Sequence, residues 1–131
     1  MKNQLNSASV WLAILVFGFL ARPAFAQDAA KVDSAHYKVV FETDQVRVLR
    51  VTAGPGEKSV MHEQPEAVVV FLTDVLVKVT FPDGTTQERA AKAGQVVWNP
   101  AEKLLPENIG NRPLEAILIE LKVKSAAIKK N

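Results

Sequence analysis

The chain has 131 residues, 48% of them hydrophobic, with 16 Lys+Arg, 14 Asp+Glu, two histidines and no cysteine. This length favours one small domain. The absence of cysteine excludes a disulfide framework, a lipid-modified cysteine and a cysteine nucleophile. With two histidines, one chain cannot build a three-histidine zinc centre. The sequence also lacks a G-x-S-x-G elbow and a phosphate-binding glycine loop.

Residues 1–26 have the pattern of a secretory signal peptide. Lys2 gives a positive start, residues 8–21 (ASVWLAILVFGFLA) are apolar and uncharged, and residues 24–26 (AFA) match the small-x-small site that signal peptidase recognises. The apolar run is shorter than the roughly 20 residues that a membrane span needs. We predict that the mature chain begins at Gln27 and is soluble, in the periplasm or secreted. An uncleaved N-terminal anchor is the alternative.

The charge of the mature chain argues against polyanionic partners. The segment 1–26 holds two of the 16 Lys+Arg and none of the 14 Asp+Glu, so the remainder carries 14 against 14 and has a net charge of zero. We therefore predict no nucleic-acid partner and no membrane partner after cleavage. The lysines near the C-terminus are typical of a solvated tail.

From residue 38 onward the pattern is that of short β-strands separated by turns. The predicted strands cover residues 38–42, 45–51, 67–72, 74–81, 85–90, 94–98 and 116–123. The run 67–72 (AVVVFL) is continuously apolar, which is typical of a strand buried on both faces. Residues 82–85 (PDGT) predict the tight turn of a hairpin. About eight short strands without helical periodicity indicate an all-β barrel or sandwich.

These patterns divide the chain into four regions. We predict a signal peptide over residues 1–26, a flexible leader over 27–35, a β-barrel over 36–124 and a C-terminal tail over 125–131.

Two stretches of the predicted barrel resemble the signature motifs of cupins. Residues 56–65 (GEKSVMHEQP) are similar to G-x5-H-x-H-x(3,4)-E, and residues 94–101 (GQVVWNPA) are similar to G-x5-P-x-G followed by a histidine and an asparagine. Residues 107–110 and 118–122 fit as well. The chain looks closest to small single-domain cupins of the cupin-2 type, some of which are labelled as β-alanine degradation proteins. The resemblance implies an all-β, single-domain cupin-like jelly-roll barrel of two packed antiparallel sheets.

The same resemblance implies a degenerate metal motif. A metal-binding cupin would use two histidines and a glutamate from the first motif and a histidine from the second. His62 matches the first histidine. The positions of the other three ligands fall on Gln64, on Val68 or Val69, and on Leu104 or Leu105. Leucine and valine have no lone pair to donate, so one ligand of four is kept.

A different set of ligands could still form around His62. On a strand, His62, Gln64 and Glu66 would point to the same side, because side chains alternate between faces. An imidazole, an amide oxygen and a carboxylate could hold one divalent transition metal, such as Fe, Mn, Zn or Ni, if water completed its shell. Pro65 favours an irregularity there because it cannot donate to a ladder. The other interpretation of His62 is a partly exposed histidine at the rim of the barrel.

Further candidates complete the predicted site. We predict a ligand pocket formed by His62, Gln64, Glu66, Trp98 and Asn108. Trp98 would wall the pocket or pack in the core. Asn108 would point a polar group inward or make a turn. Arg47 and Arg50 lie on opposite faces of one strand, so one of them could enter the interior and bind an anion or pair with an acid.

Two functions remain after these exclusions. The preferred one is a metal-free cupin without a cofactor, which binds an unidentified small molecule or serves as an interaction module in the cell envelope. The alternative is a metal-dependent oxygenase or isomerase with an atypical site at His62, Gln64 and Glu66. Small cupins commonly dimerise, so the resemblance also implies that a homodimer can form.

Overall fold

The computed structural model describes residues 27–122, which form one short helix and nine β-strands. The helix α1 spans Ala29–Val32, and the strands are β1 Tyr37–Glu42, β2 Val46–Ala53, β3 His62–Gln64, β4 Ala67–Phe71, β5 Val75–Thr80, β6 Thr86–Ala91, β7 Val96–Asn99, β8 Glu102–Asn108 and β9 Leu114–Leu121. Five strands form one antiparallel sheet in the order β1-β2-β9-β4-β7, and four form a second in the order β3-β8-β5-β6. This architecture confirms the predicted all-β, jelly-roll-like fold.

The core lies between the two sheets and consists of alternate residues of their strands. Strand β9 buries four such residues, Leu114, Ala116, Leu118 and Glu120. Strand β5 buries Val75, Val77 and Val79 in the same way. Because neighbouring side chains of a strand point to opposite faces, the remaining residues face outward. Each buried valine or leucine contributes about 1.5–3 kcal/mol to the stability of the fold.

The hairpin between β5 and β6 has the turn that its sequence predicts. The Phe81 amide donates to the Thr85 carbonyl (2.9 Å), and the Gly84 amide donates to the Phe81 carbonyl (2.9 Å). Gly84 has a φ of +84°, which a residue with a side chain rarely adopts. The Asp83 carboxylate accepts from the Thr85 amide (2.9 Å) and holds the turn.

The segment before β1 is folded onto the barrel, where the sequence led us to predict a flexible leader over residues 27–35. Asp28 caps α1 by accepting a hydrogen bond from the Ala30 amide (3.1 Å), and its carboxylate pairs with Arg47 (2.6 Å). A single helical turn is too short to leave a periodic pattern in the sequence. The partner of Asp28 lies in another strand, so no local signal predicts this packing.

The folded N-terminal segment closes one side of the barrel. Ala29 is only 2% exposed and belongs to the core. The Glu63 amide of β3 donates to the Gln27 carbonyl (2.9 Å), so the segment extends the four-stranded sheet. Helix α1 contacts both β1 and β3, which are the edge strands of the two sheets on that side.

Strand β8 is absent from the sequence prediction. Its sequence contains Pro106, which argues against a strand that is paired on both sides. The structure accommodates it because β3 pairs with β8 only from His62 opposite Leu104 to Gln64 opposite Glu102. Beyond β3, the same edge of β8 is covered irregularly: the Ser59 amide donates to the Pro106 carbonyl (2.9 Å), and Lys58 forms an isolated bridge with Glu107. The missing amide of Pro106 therefore interrupts no regular ladder on that side.

The outer face of the five-stranded sheet carries a row of apolar side chains that crosses all five strands. In cross-strand register, the row consists of Phe41, Val48, Ile119, Val68 and Trp98. Its two ends are the most open, with Phe41 56% and Trp98 49% exposed.

Two predicted regions fall outside the described residues, namely the signal peptide over 1–26 and the tail over 125–131. Among residues 27–122, no helix is long and apolar enough to cross a membrane.

Candidate functional site

His62 lies on β3 and is fully buried, which corrects the prediction of a partly exposed rim histidine. Its Nδ1 is 2.8 Å from the carbonyl oxygen of Val60, and the ring of Tyr37 packs edge-on against it at 4.9 Å. A carbonyl can only accept a hydrogen bond, so Nδ1 carries the proton and Nε2 keeps its lone pair. The buried Nε2 has no hydrogen-bond partner among residues 27–122.

The environment of His62 keeps its ring neutral. Burial lowers the pKa of His62 below its ordinary value of 6.5, because a charged ring would lose its hydration. The hydrogen bond to the Val60 carbonyl and the charges of Asp33 and Asp28 raise the pKa but do not cancel the effect of burial.

The polar groups beside His62 are engaged with one another. The Ser59 hydroxyl donates to Asp33 (2.6 Å) and lies 3.4 Å from Nδ1 of His62. Asp33 also accepts from Nδ1 of His36 (2.8 Å). Burial raises the pKa of Asp33, but the hydrogen bonds from Ser59 and His36 outweigh it, so the pKa lies below its ordinary value. The hydroxyl of Ser59 faces an acid rather than the lone pair of a base, so this cluster is not a nucleophile–histidine pair.

The residues around His62 do not fit a metal ion. His62 and Gln64 share the buried face of β3, but Glu66 lies beyond Pro65, where the strand has ended. The alternation of side chains that would have placed Glu66 on the same side as His62 stops at Pro65. The Glu66 side chain instead borders a separate surface depression beside Arg47. In the described part of the chain, no group of three His, Cys, Asp or Glu side chains could hold an ion.

The structure also shows what occupies the ligand positions that the cupin motifs imply. Leu104 pairs directly with His62 and is 2% exposed, so it rather than Leu105 faces the interior. Val69 is buried in the interior, whereas Val68 points outward in the apolar row. At both positions the side chain that faces the interior is therefore a hydrocarbon.

A cavity of about 160 Å³ lies between the sheets next to these residues. Its wall is largely apolar and includes Val69, Val77, Leu104, Leu118 and Phe71. At the seam between β6 and β7, which are edge strands on the side opposite α1, it is bordered by Arg89, Ala90, Val97 and Asn99. The space is lined mainly by hydrocarbon, with a few polar groups at defined places, as ligand pockets are.

Two polar side chains at the cavity, Gln64 and Arg89, differ in whether they have a partner. Gln64 is 8% exposed, and its side-chain Nε2 has no hydrogen-bond partner within residues 27–122. Arg89, in contrast, makes a two-pronged ion pair with Glu102, with N–O distances of 2.7 and 3.1 Å. The cavity wall therefore includes a buried amide without a hydrogen-bond partner and a cation whose charge is already neutralised.

Trp98 and Asn108 are not pocket residues, although the sequence led us to predict that role. Trp98 lies on the outer face of β7 and is 49% exposed, because Val97 and Asn99 take the inward positions of that short strand. Asn108 is buried, but its amide donates to the carbonyls of Ala53 (3.0 Å) and Arg112 (2.8 Å). Asn108 therefore stabilises a turn, which was the alternative interpretation.

Arg47 faces inward from β2 and pairs with acids. Its guanidinium contacts Asp28 (2.6 Å) and Glu120 (2.6 Å), and Glu120 is 2% exposed. Burial raises the pKa of Glu120 despite the neighbouring arginine, whereas the hydrogen bond from Arg47 lowers the pKa of Asp28. Arg50 points outward and pairs with Glu115.

Three residues of the site were missed by the sequence reasoning. Tyr37, Arg89 and Glu102 line the cavity or pair at its border. Arg89 lies in the polar second strand of the β5–β6 hairpin (TTQERA). The alternation of side chains there does not reveal which of the charged residues points inward. The ion pair with Glu102 joins β6 to β8, two strands that are not neighbours in the sheet.

Comparisons with solved structures define the fold. A cupin domain from Bordetella pertussis Tohama I superposes with a TM-score of 0.62 at 20% identity, over 66% of this chain and 92% of that protein. An RmlC-like cupin with a double-stranded β-helix fold from Methanocaldococcus jannaschii gives a TM-score of 0.53 at 20% identity, over 65% and 77%. A polyketide cyclase from Streptomyces resistomycificus gives 0.50 at 13% identity, over 69% and 66%.

Sequence comparison adds nothing to these similarities, since no protein-family model and no curated protein matches the chain. The chain therefore has the all-β architecture of a double-stranded β-helix. It folds as a small cupin-type domain.

Proposed function

We propose that this protein is an exported, metal-free cupin that binds a small molecule in the interior of its barrel. The observation that carries the proposal is the pairing of His62 with Leu104 beside an apolar cavity. The position that the resemblance assigns to the histidine of the second motif instead contributes hydrocarbon to the cavity wall.

The size and lining of the cavity support binding of a compact guest. An apolar cavity of about 150 Å³ inside a protein can take up benzene, and this one has about 160 Å³. Burial of an apolar guest contributes roughly 25 cal/mol for each Å² removed from water. The polar groups Gln64 and Asn99 at the wall would fix its orientation.

The alternative is a metal-dependent oxygenase or isomerase centred on His62. One observation favours it, since the proton on Nδ1 leaves the Nε2 lone pair free, as a metal ligand requires. A single imidazole and the amide of Gln64 are too few ligands, and neither brings the negative charge that a carboxylate would supply.

Metal analysis of protein isolated from the periplasm tests the proposal. We expect Fe, Mn, Zn and Ni well below one ion per chain, with unchanged folding after treatment with a chelator. As a positive control, the double variant Gln64→His/Leu104→His restores two imidazoles near His62 and is expected to take up Zn²⁺ or Ni²⁺. A stoichiometric ion in the wild-type protein that disappears in His62→Ala would establish the metal-dependent alternative.

Export is tested separately from ligand binding. The apolar run 8–21 and the AFA sequence at 24–26 support cleavage after Ala26. We expect N-terminal sequencing of the periplasmic or secreted protein to begin at Gln27. Recovery of the uncleaved chain in the membrane fraction would contradict this and support the retained anchor.

A further inference from the structure

The unpaired amide of Gln64 indicates what the guest must offer. Gln64 lines the cavity, its side chain is more than nine-tenths buried, and its Nε2 has no hydrogen-bond partner in the described residues. Burial of a donor without an acceptor is unfavourable, so such groups are normally paired. By turning its amide toward the cavity, Gln64 would donate this nitrogen to a carbonyl or similar acceptor of a guest and relieve that cost.

The charges around the cavity indicate that the guest is neutral. Arg89 is the cation that borders it, and both of its terminal nitrogens are bound by the Glu102 carboxylate. The Arg89 guanidinium also lies 5.8 Å from the centre of the Phe81 ring. An anionic guest would have to displace Glu102, and a cationic guest would have to displace Arg89. Either exchange breaks the ion pair and leaves a charge without its partner beside an apolar wall.

The volume and lining limit the guest further. The cavity is bounded mainly by valine, leucine and alanine side chains. Its volume of about 160 Å³ corresponds to a ring or a branched chain of about six to nine heavy atoms, by comparison with cavities that take up benzene. The remaining surface of the guest must therefore be hydrocarbon.

We infer that the ligand is an uncharged, compact hydrocarbon that carries one hydrogen-bond acceptor, with Gln64 as the residue that selects the acceptor. This inference rests on the proposed binding function and names the ligand class of that same cavity. Gln64 touches the ligand and determines specificity, while Arg89 and Glu102 exclude charged analogues.

A matched set of probes separates the elements of this inference. Acetophenone, cumene and benzoate have similar shapes and equal numbers of heavy atoms, but they carry a neutral acceptor, no acceptor and a negative charge, respectively. Their dissociation constants are measured by NMR titration with the wild-type protein, with Gln64→Leu and with the surface control Gln45→Leu. Gln45 is an exposed residue before β2, so its replacement matches the chemistry without touching the cavity.

The expected result is a change confined to one probe and one variant. Gln64→Leu should raise the dissociation constant of acetophenone about tenfold, the effect of losing one buried hydrogen bond. The same variant should bind cumene as tightly as the wild type or more tightly. Gln45→Leu should change neither, and benzoate should bind the wild type at least about tenfold more weakly than acetophenone. Retained binding of cumene by Gln64→Leu shows that this variant is folded.

The contradicting results fall into two groups. The ligand class is wrong if Gln64→Leu changes the dissociation constants of acetophenone and cumene equally, or if benzoate binds most tightly of the three. Either result leaves the proposed binding in the cavity intact. If none of the three probes binds the wild-type protein, the proposed binding function fails together with the ligand class.

Discussion

His62 is the residue at which the question of metal binding is decided, and its surroundings suit a neutral structural histidine. The Val60 carbonyl holds the proton on Nδ1, Tyr37 packs against the ring, and Leu104 stands opposite on β8. Burial makes protonation of the ring costly, so the pKa is lowered. In this account, His62 contributes packing and one hydrogen bond to the end of the barrel.

The lowered pKa of His62 predicts a specific loss of stability in mild acid. The unfolded chain takes up a proton on this histidine near pH 6.5, whereas the folded chain does so only at lower pH. The free energy of unfolding should therefore fall as the pH is lowered below 6.5, by up to about 1.4 kcal/mol per pH unit. Urea denaturation of wild type and His62→Leu between pH 7.5 and 5 measures this as a difference between the two proteins.

The difference isolates His62 because the other titrating groups, including Glu120 and Asp33, are common to both proteins. We expect the wild-type protein to lose stability relative to His62→Leu as the pH falls. Parallel curves for the two proteins over this range would show that the ring is not held neutral.

At the scale of elements, the barrel is closed on one side by the N-terminal segment and left accessible on the other. Helix α1 bridges the edge strands β1 and β3, and Arg47 of β2 ties Asp28 before α1 to Glu120 of β9. Within residues 27–122, no helix bridges strands β6 and β7 in this way, and the cavity borders that seam. The ion pairs of Arg47 therefore hold the closed side in place.

The Arg47 cluster predicts an asymmetric response to substitution. Arg47→Met should lower the free energy of unfolding by about 3 kcal/mol, because it leaves the buried carboxylate of Glu120 without its partner. The double variant Arg47→Met/Glu120→Leu should recover most of that loss, since no buried charge remains. Chemical denaturation at neutral pH measures both values.

Arg50→Met serves as the matched control for this prediction. Arg50 is 44% exposed in its pair with Glu115, and exposed pairs contribute less than about 1 kcal/mol. An Arg47→Met variant that loses no more unfolding free energy than Arg50→Met would contradict a structural role of the Arg47 cluster. A double variant less stable than Arg47→Met alone would contradict it as well.

Elements with a local signal were predictable from the sequence, and elements fixed by distant partners were not. The apolar run of β4 and the PDGT hairpin were predicted because their patterns lie in consecutive residues. Strand β8 was missed because Pro106 argues against a regular strand, and its irregular pairing with residues 56–59 has no local signal in the sequence. The grouping of Glu66 with His62 was wrong because alternation was carried across Pro65, where β3 ends. The cavity is formed by side chains from both sheets. No pattern within a single segment predicts how the two sheets pack against each other.

At the scale of the whole molecule, the apolar row on the outer face of the five-stranded sheet is unusual for a surface open to water. Most exposed charges next to the row are paired within the face, Arg50 with Glu115 and Lys122 with Glu42. Lys38, opposite Arg50 on β1, is exposed and makes no ion pair within residues 27–122. The row itself is an uncharged apolar surface, which suits an identical row better than a charged partner. We propose that a second copy of the chain covers it, with Trp98 at the border of the interface.

This arrangement predicts a dimer that depends on Trp98. Sedimentation equilibrium should give twice the chain mass for the wild type and one chain mass for Trp98→Glu, because a charge cannot be buried against an apolar face without large cost. Val40→Glu is the control, since Val40 is 56% exposed and lies in the β1 bulge, outside the row. A monomeric wild type, or a Trp98→Glu variant that remains dimeric, would contradict the proposal.

We propose that the barrel holds a guest without a metal ion, because Leu104 and Val69 line the cavity with hydrocarbon. NMR of methyl-labelled protein with acetophenone, in the presence of a chelator, tests it most directly. We predict cross-peaks between the probe and the methyl groups of Val69 and Leu104, unchanged when Zn²⁺ or Ni²⁺ is added. Binding that appears only after an ion is added, with the His62 resonances shifted by that ion, would contradict the account.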